Sequence, residues 1–139
     1  MQILVGAGVF ALCVAVHACF MLWSVRVIGP KLRRKGTSLD LVSTMVATVG
    51  FLAIAHFIEI CLWALAISFV GAVSAEEGPL YFAFTSYTTL GYGDVVPAVE
   101  WRLFAALEGV NGFLLIGWST AYLIAAGIRI GPFRSGEHF

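Results

Sequence analysis

Residues 76–101 read EEGPLYFAFTSYTTLGYGDVVPAVEW. Gly78-Pro79 has the form of a helix start with proline in the first turn. From Leu80 to about Thr88 the segment is apolar and aromatic, yet too short to cross a bilayer core, which takes about 20 residues. Irregular chain follows, Thr88-Thr89-Leu90-Gly91-Tyr92-Gly93-Asp94, with two glycines flanking a tyrosine. A short apolar helix and then irregular backbone, set between long apolar runs, reads as a re-entrant element. Such backbone persists at membrane depth only where protein buries it or where it lines water.

The flanking runs settle the fold class. No charged residue lies between Ile3 and Val25, only Glu59 between Leu41 and Ala75, and only Glu108 between Leu103 and Ile128. The 139-residue chain is 60 % hydrophobic and 12 % charged, with mean hydropathy +0.96. A water-soluble domain of this size could not hide so much apolar surface. These observations predict an all-α membrane protein with three transmembrane helices, roughly 3–28, 40–73 and 100–129, and a re-entrant pore helix between the second and third. Gly29-Pro30 is expected to end the first helix, with Ser38 or Asp40 capping the second. The second run exceeds one bilayer thickness and is expected to tilt or protrude.

Lys31, Arg33, Arg34 and Lys35 crowd the connection between spans one and two, and Arg129 and Arg134 follow span three; Arg102 lies at the opposite side. The positive-inside rule then puts the 29–39 loop and the C-terminus in the cytoplasm and the N-terminus outside, in the cell (inner or plasma) membrane. No basic tract is long enough to suggest nucleic acid. Cys13, Cys19 and Cys61 lie in apolar runs, are odd in number and show no metal spacing, so they read as small buried hydrophobes.

Thr88-Thr89-Leu90-Gly91-Tyr92-Gly93-Asp94 resembles the signature of potassium channels, and FAFTSYTTLGYGDVVP is similar to the pore region of their helix–pore loop–helix members. The resemblance covers roughly residues 40–129 and leaves out the first span. It divides the chain into an N-terminal transmembrane helix and basic loop (1–39), a pore domain (40–130) and a short tail (131–139). Within the pore domain it implies an outer helix at 40–73, a pore helix at 79–88, a filter at 89–94 and an inner helix at 100–129. It further implies that backbone carbonyls of Thr89, Leu90, Gly91 and Tyr92 from four chains replace the water of a potassium ion, closed off by Gly93, with the Thr89 hydroxyl adding an inner ring. Successive carbonyls point one way only if the backbone alternates in handedness, which suits glycine at 91 and 93. One loop per chain then implies a homotetramer in lipid. The permeant ion is K+, with no cofactor and no enzymatic role.

Several positions depart from the family pattern or extend it. Leu90 stands where valine is commoner. Tyr81 and Phe82 stand where two tryptophans often brace the filter; Tyr81 retains a hydroxyl for Asp94, whereas Phe82 has none, which implies a less braced filter. Thr88, Asp94, Tyr81, Phe82 and Glu108 are the expected filter supports. Gly112 is the expected hinge, and Asn111, Leu115 and Ser119 an expected cavity-lining stripe, with close helix packing as the other reading of the glycine. Trp23, Trp63 and Trp101 read as interface anchors.

Span one has no arginine between Ile3 and Val25, hence no row of voltage-sensing arginines, and the chain as given has no room for a nucleotide-binding domain. A leak-like or filter-gated channel is expected, or one governed by an unidentified regulatory partner. The alternative is a poorly selective cation pore, or an accessory subunit co-assembling with other channel chains. His56 and Glu59, three apart, share a helix face; His17 reads as interhelical hydrogen-bond glue, and for Glu59 and Glu108 that reading stands beside one in which the carboxyl braces the back of the filter and its protonation tunes conduction. A metalloenzyme built on His17, His56, Glu59 and Glu108 is disfavoured, since no nucleophile or second histidine motif accompanies them.

Overall fold

A computed structural model describes residues 1–32 and 37–130. The basic residues at 33–35 and the tail at 131–139 lie outside the described residues. The described residues form four α-helices: α1 (Gln2–Leu32), α2 (Ser38–Val70), α3 (Pro79–Tyr87) and α4 (Arg102–Ile130), the last entered through a 3-10 turn at Val99–Trp101. No strand occurs among the described residues. α1, α2 and α4 are each long and apolar enough to cross a membrane, and α3 is not. The protein is an all-helical, multi-pass membrane protein.

The helix ends follow local chemistry. α1 does not stop at Gly29-Pro30 as expected but runs through to Leu32. A proline in the last turn removes one backbone hydrogen bond, and the rest of the turn is retained. α2 is capped by Thr37, one residue before Ser38 and three before Asp40, the two expected positions. Its side chain accepts from the Asp40 amide at 3.3 Å, while the Asp40 carboxylate accepts from the Thr37 amide at 2.8 Å, a reciprocal capping box. Its 33 residues reach about 50 Å, well beyond a hydrocarbon core of about 30 Å. Gly71, in the left-handed conformation at φ +67°, ends it. α3 starts at Gly78-Pro79.

The helices pack so that α1 lies against both α2 and α4, while α3 is held between α2 and α4. The core joins Cys13 of α1, Ile60, Trp63 and Ile67 of α2, Phe82 and Tyr87 of α3, and Phe104 and Leu115 of α4. Trp63 is therefore not an interface anchor. It is wholly buried against Phe104, and its indole N–H donates to Asn111 Oδ1 at 2.9 Å. Towards its ends α1 is tied to α4 again: the Ser24 and Tyr122 hydroxyls meet at 2.8 Å, and the Phe104 amide donates to Gln2 Oε1 at 3.4 Å.

Candidate ion-conduction site

α3 delivers the chain to Thr88, whose amide and hydroxyl both donate to the Phe84 carbonyl, at 3.2 and 2.6 Å. The next turns fold back on the same helix: the Thr89 amide donates to Ser86 O at 2.9 Å and the Gly91 amide to Thr85 O at 3.0 Å. Positive φ recurs at every second residue, Thr89 at +61°, Gly91 at +52° and Gly93 at +78°, while Leu90 and Tyr92 between them have none. Handedness thus alternates along the segment. Glycine adopts the left-handed region at little cost, whereas for a β-branched residue it costs about 1–2 kcal/mol. Thr89 is therefore the strained member, which the sequence did not single out. Residues 89–94 are all exposed on the single chain. A Cβ at Gly91 or Gly93 would meet nothing, and Leu90 and Tyr92 are 56 % and 69 % exposed.

The mouth of this segment is braced by Tyr81, whose hydroxyl donates to Asp94 Oδ2 at 2.6 Å. That bond holds the Asp94 carboxyl below the usual carboxylate range and raises the Tyr81 phenol above its ordinary value. Phe82 makes no polar contact there; its ring is buried in the chain's own core. Past Asp94 the chain is pinned by the Ala98 amide, which donates to the Ala72 carbonyl at the end of α2 at 2.9 Å.

The expected cavity stripe on α4 points elsewhere. Asn111, Leu115 and Ser119 are all buried inside the single chain, because α1 and α2 cover that side of α4. Asn111 accepts from Trp63, and Ser119 meets His56 Nε2 at 2.9 Å. Gly112 is a packing glycine: a Cβ there would lie 1.9 Å from the Tyr87 carbonyl oxygen, and α4 runs unbroken through it. Glu108 is wholly buried. Neither of its oxygens has a hydrogen-bond partner; the nearby Ser86 hydroxyl donates to the Ala105 carbonyl at 3.4 Å instead.

A second cluster lies directly behind the end of α3. Glu59 is buried and receives three groups. His17 Nδ1 stands 2.9 Å from Oε1 and His56 Nδ1 3.0 Å from Oε2, and the Tyr87 hydroxyl donates to Oε2. His56 Nδ1 also lies 3.0 Å from the Tyr87 hydroxyl. Ser119 Oγ then meets both imidazoles on their far sides, 2.9 Å from His56 Nε2 and 3.4 Å from His17 Nε2. The cluster joins all four helices, two residues before Thr89. Of the ionisable residues marked within the spans, His17, His56 and Glu59 come together and Glu108 stays apart. Tyr87 was not marked from sequence. Its place at the end of the re-entrant helix, immediately before the two threonines, is the signal that could have found it.

A family model described as an ion channel matches residues 46–129. The match takes in most of α2, all of α3 and nearly all of α4, and leaves α1 outside. Comparison with curated proteins and with solved structures found no match.

Proposed function

Since the chain belongs to the ion-channel family, we propose that it is a potassium-selective channel formed by four copies of itself. The carrying observation is the alternation of handedness at Thr89, Gly91 and Gly93 in a segment that stands exposed on the single chain. Around a fourfold axis, carbonyls of Thr89, Leu90, Gly91 and Tyr92 would stack as rings of oxygens in place of the ion's hydration shell. The C-terminus of α3, with its partial negative charge, supports a cation below them. Tyr92, unpacked on one chain, would find its contacts on a neighbour. The lysine and arginine distribution supports an N-terminus outside and a C-terminus in the cytoplasm of the cell membrane. Without an arginine row in α1, conduction is leak-like, gated at the filter or set by a regulatory partner.

Purified protein in potassium-loaded vesicles tests the reading. A potassium gradient is expected to drive flux that sodium and lithium do not support, and Gly93→Ala to abolish it. Equal passage of sodium would leave the poorly selective cation pore standing. A purified particle other than a four-chain one would favour the accessory subunit.

A further inference from the structure

The cluster behind α3 has more contacts than hydrogens. Four short contacts close a ring: His17 to Glu59, Glu59 to His56, His56 to Ser119, and Ser119 to His17. Two neutral imidazoles bring one N–H each, and the serine brings one O–H. An ionised Glu59 brings none, and the Tyr87 hydrogen is directed at Glu59 from outside the ring. With both imidazoles neutral, three hydrogens meet four contacts; either one more proton, making an imidazole cationic, or a metal cation completes the ring, in an interior where an unmade polar contact is costly.

A cation at the carboxylate side resolves this. With an ion between Glu59 and the two Nδ1 atoms, both imidazoles carry their hydrogen on Nε2. The two lone pairs of Ser119 Oγ can accept both. Fixing the far nitrogen of a ligating histidine in this way is what orients such ligands and sets their tautomer. The donor set, two imidazole nitrogens and a carboxylate, suits zinc and neighbouring transition metals rather than magnesium or calcium, which take oxygen. One ligand atom from each of His17, His56 and Glu59 lies within 4.8 Å of the others. A tetrahedral ion with bonds of about 2.0–2.1 Å spaces its ligand atoms about 3.3 Å apart. The contacts of 2.9 and 3.0 Å run to the two different oxygens of Glu59, so the carboxylate faces both Nδ1 atoms and would hold the ion through either oxygen or both. Tyr87 Oη lies beside both Glu59 Oε2 and His56 Nδ1 as a further oxygen. The Trp118 ring, 5.2 Å from that of His17, and Cys13, whose thiol faces the Glu59 carbonyl, complete the surroundings.

We propose that His17, His56 and Glu59 form a buried site for a zinc-class divalent ion, clamping α1 to α2 immediately behind the C-terminus of α3. The ion is structural: the site lies inside one chain, behind the conducting segment rather than on it, and does not depend on what that segment conducts.

The test uses the full chain in detergent, stripped with a chelator and equilibrated with Zn2+ or, separately, Co2+. About one ion per chain is expected, and the Co2+ form is expected to show the visible absorption of a tetrahedral nitrogen–oxygen site. His17→Gln and His56→Gln are expected to abolish both signals, and Ser119→Ala to weaken affinity about 10–100-fold. Helicity and elution volume of each variant establish that it is folded. The wild-type Co2+ spectrum reads the site even if every variant misfolds. The proposal is overturned if the wild-type chain takes up no ion or shows no Co2+ absorption, or if folded histidine variants bind as the parent does; a proton then fills the ring. Potassium flux of the stripped protein, measured in parallel, bears on the channel reading alone.

Discussion

Two glycines that look alike in the sequence stand in very different surroundings. A Cβ added at Gly6 would meet the Leu107 Cδ1 methyl at 2.7 Å, the free end of a side chain able to rotate. The same atom added at Gly112 would sit 1.9 Å from a carbonyl oxygen and 2.7 Å from its carbon, both backbone of α3. Gly112→Ala must therefore push α3 away from α4, and overpacking of that kind costs about 1–3 kcal/mol or more. A clear fall in thermal unfolding temperature, or no recoverable protein, is expected for Gly112→Ala, and close to parental behaviour for Gly6→Ala. Equal melting temperatures for the two variants would contradict this. The Tyr81–Asp94 bond also belongs at this scale. Asp94 has a depressed carboxyl, so the bond is present at neutral pH and is lost only as the pH on its side of the membrane falls through that lowered value. Tyr81→Phe is expected to speed the decay of open-channel current at neutral pH. Asp94→Asn should do the same, and the double variant should be no worse than either single one. Additive effects in bilayer recordings would show that the two side chains act separately.

At the scale of elements, the three spans were legible because an uninterrupted apolar run is all that a membrane crossing requires. The re-entrant helix was legible from a proline start and a length too short to cross. The facing of α4 was not legible. Its residues are largely apolar all round, so a stripe at helical spacing carries no label saying which side meets protein. Asn111 and Ser119 turn inward because Trp63 and His56, 48 and 63 residues upstream, offer them partners there. Glycine at position 112 was consistent with hinge or packing until Tyr87, on another element, was placed against it. The left-handed Thr89 was hidden for a different reason: a β-branched residue disfavours that region, and local preference argues against what the Ser86 carbonyl holds in place. The tie between elements can be measured. Tyr87→Phe removes one hydrogen bond to Glu59, worth about 0.6–2 kcal/mol between membrane helices. A modest loss of stability is expected on unfolding in mixed micelles, with the α-helix content of the folded state unchanged.

Considered as a whole, α1 is integral to the bundle although the family match excludes it. It contributes His17 to the buried cluster, Cys13 and Met21 to the core, and Ser24 and Gln2 to polar contacts with α4. His17→Ala should accordingly be more damaging than its place outside the matched pore domain suggests. Deleting His17 leaves a buried oxygen of Glu59 without its partner, which costs about 1–3 kcal/mol. The expected outcome is reduced thermal stability of the complete assembly, read by the temperature at which it dissociates in native electrophoresis. An unaltered dissociation temperature would mean that α1 rides on the pore without supporting it.

The position of α1 also bears on how the bilayer meets the pore. By lying on both α2 and α4 of its own chain, it fills a furrow that acyl tails would otherwise wet. A greasy blocker diffusing laterally through the leaflets finds that flank already sealed by polypeptide. In the four-chain channel proposed above, it would reach the conduction path from an aqueous side or through a seam between chains.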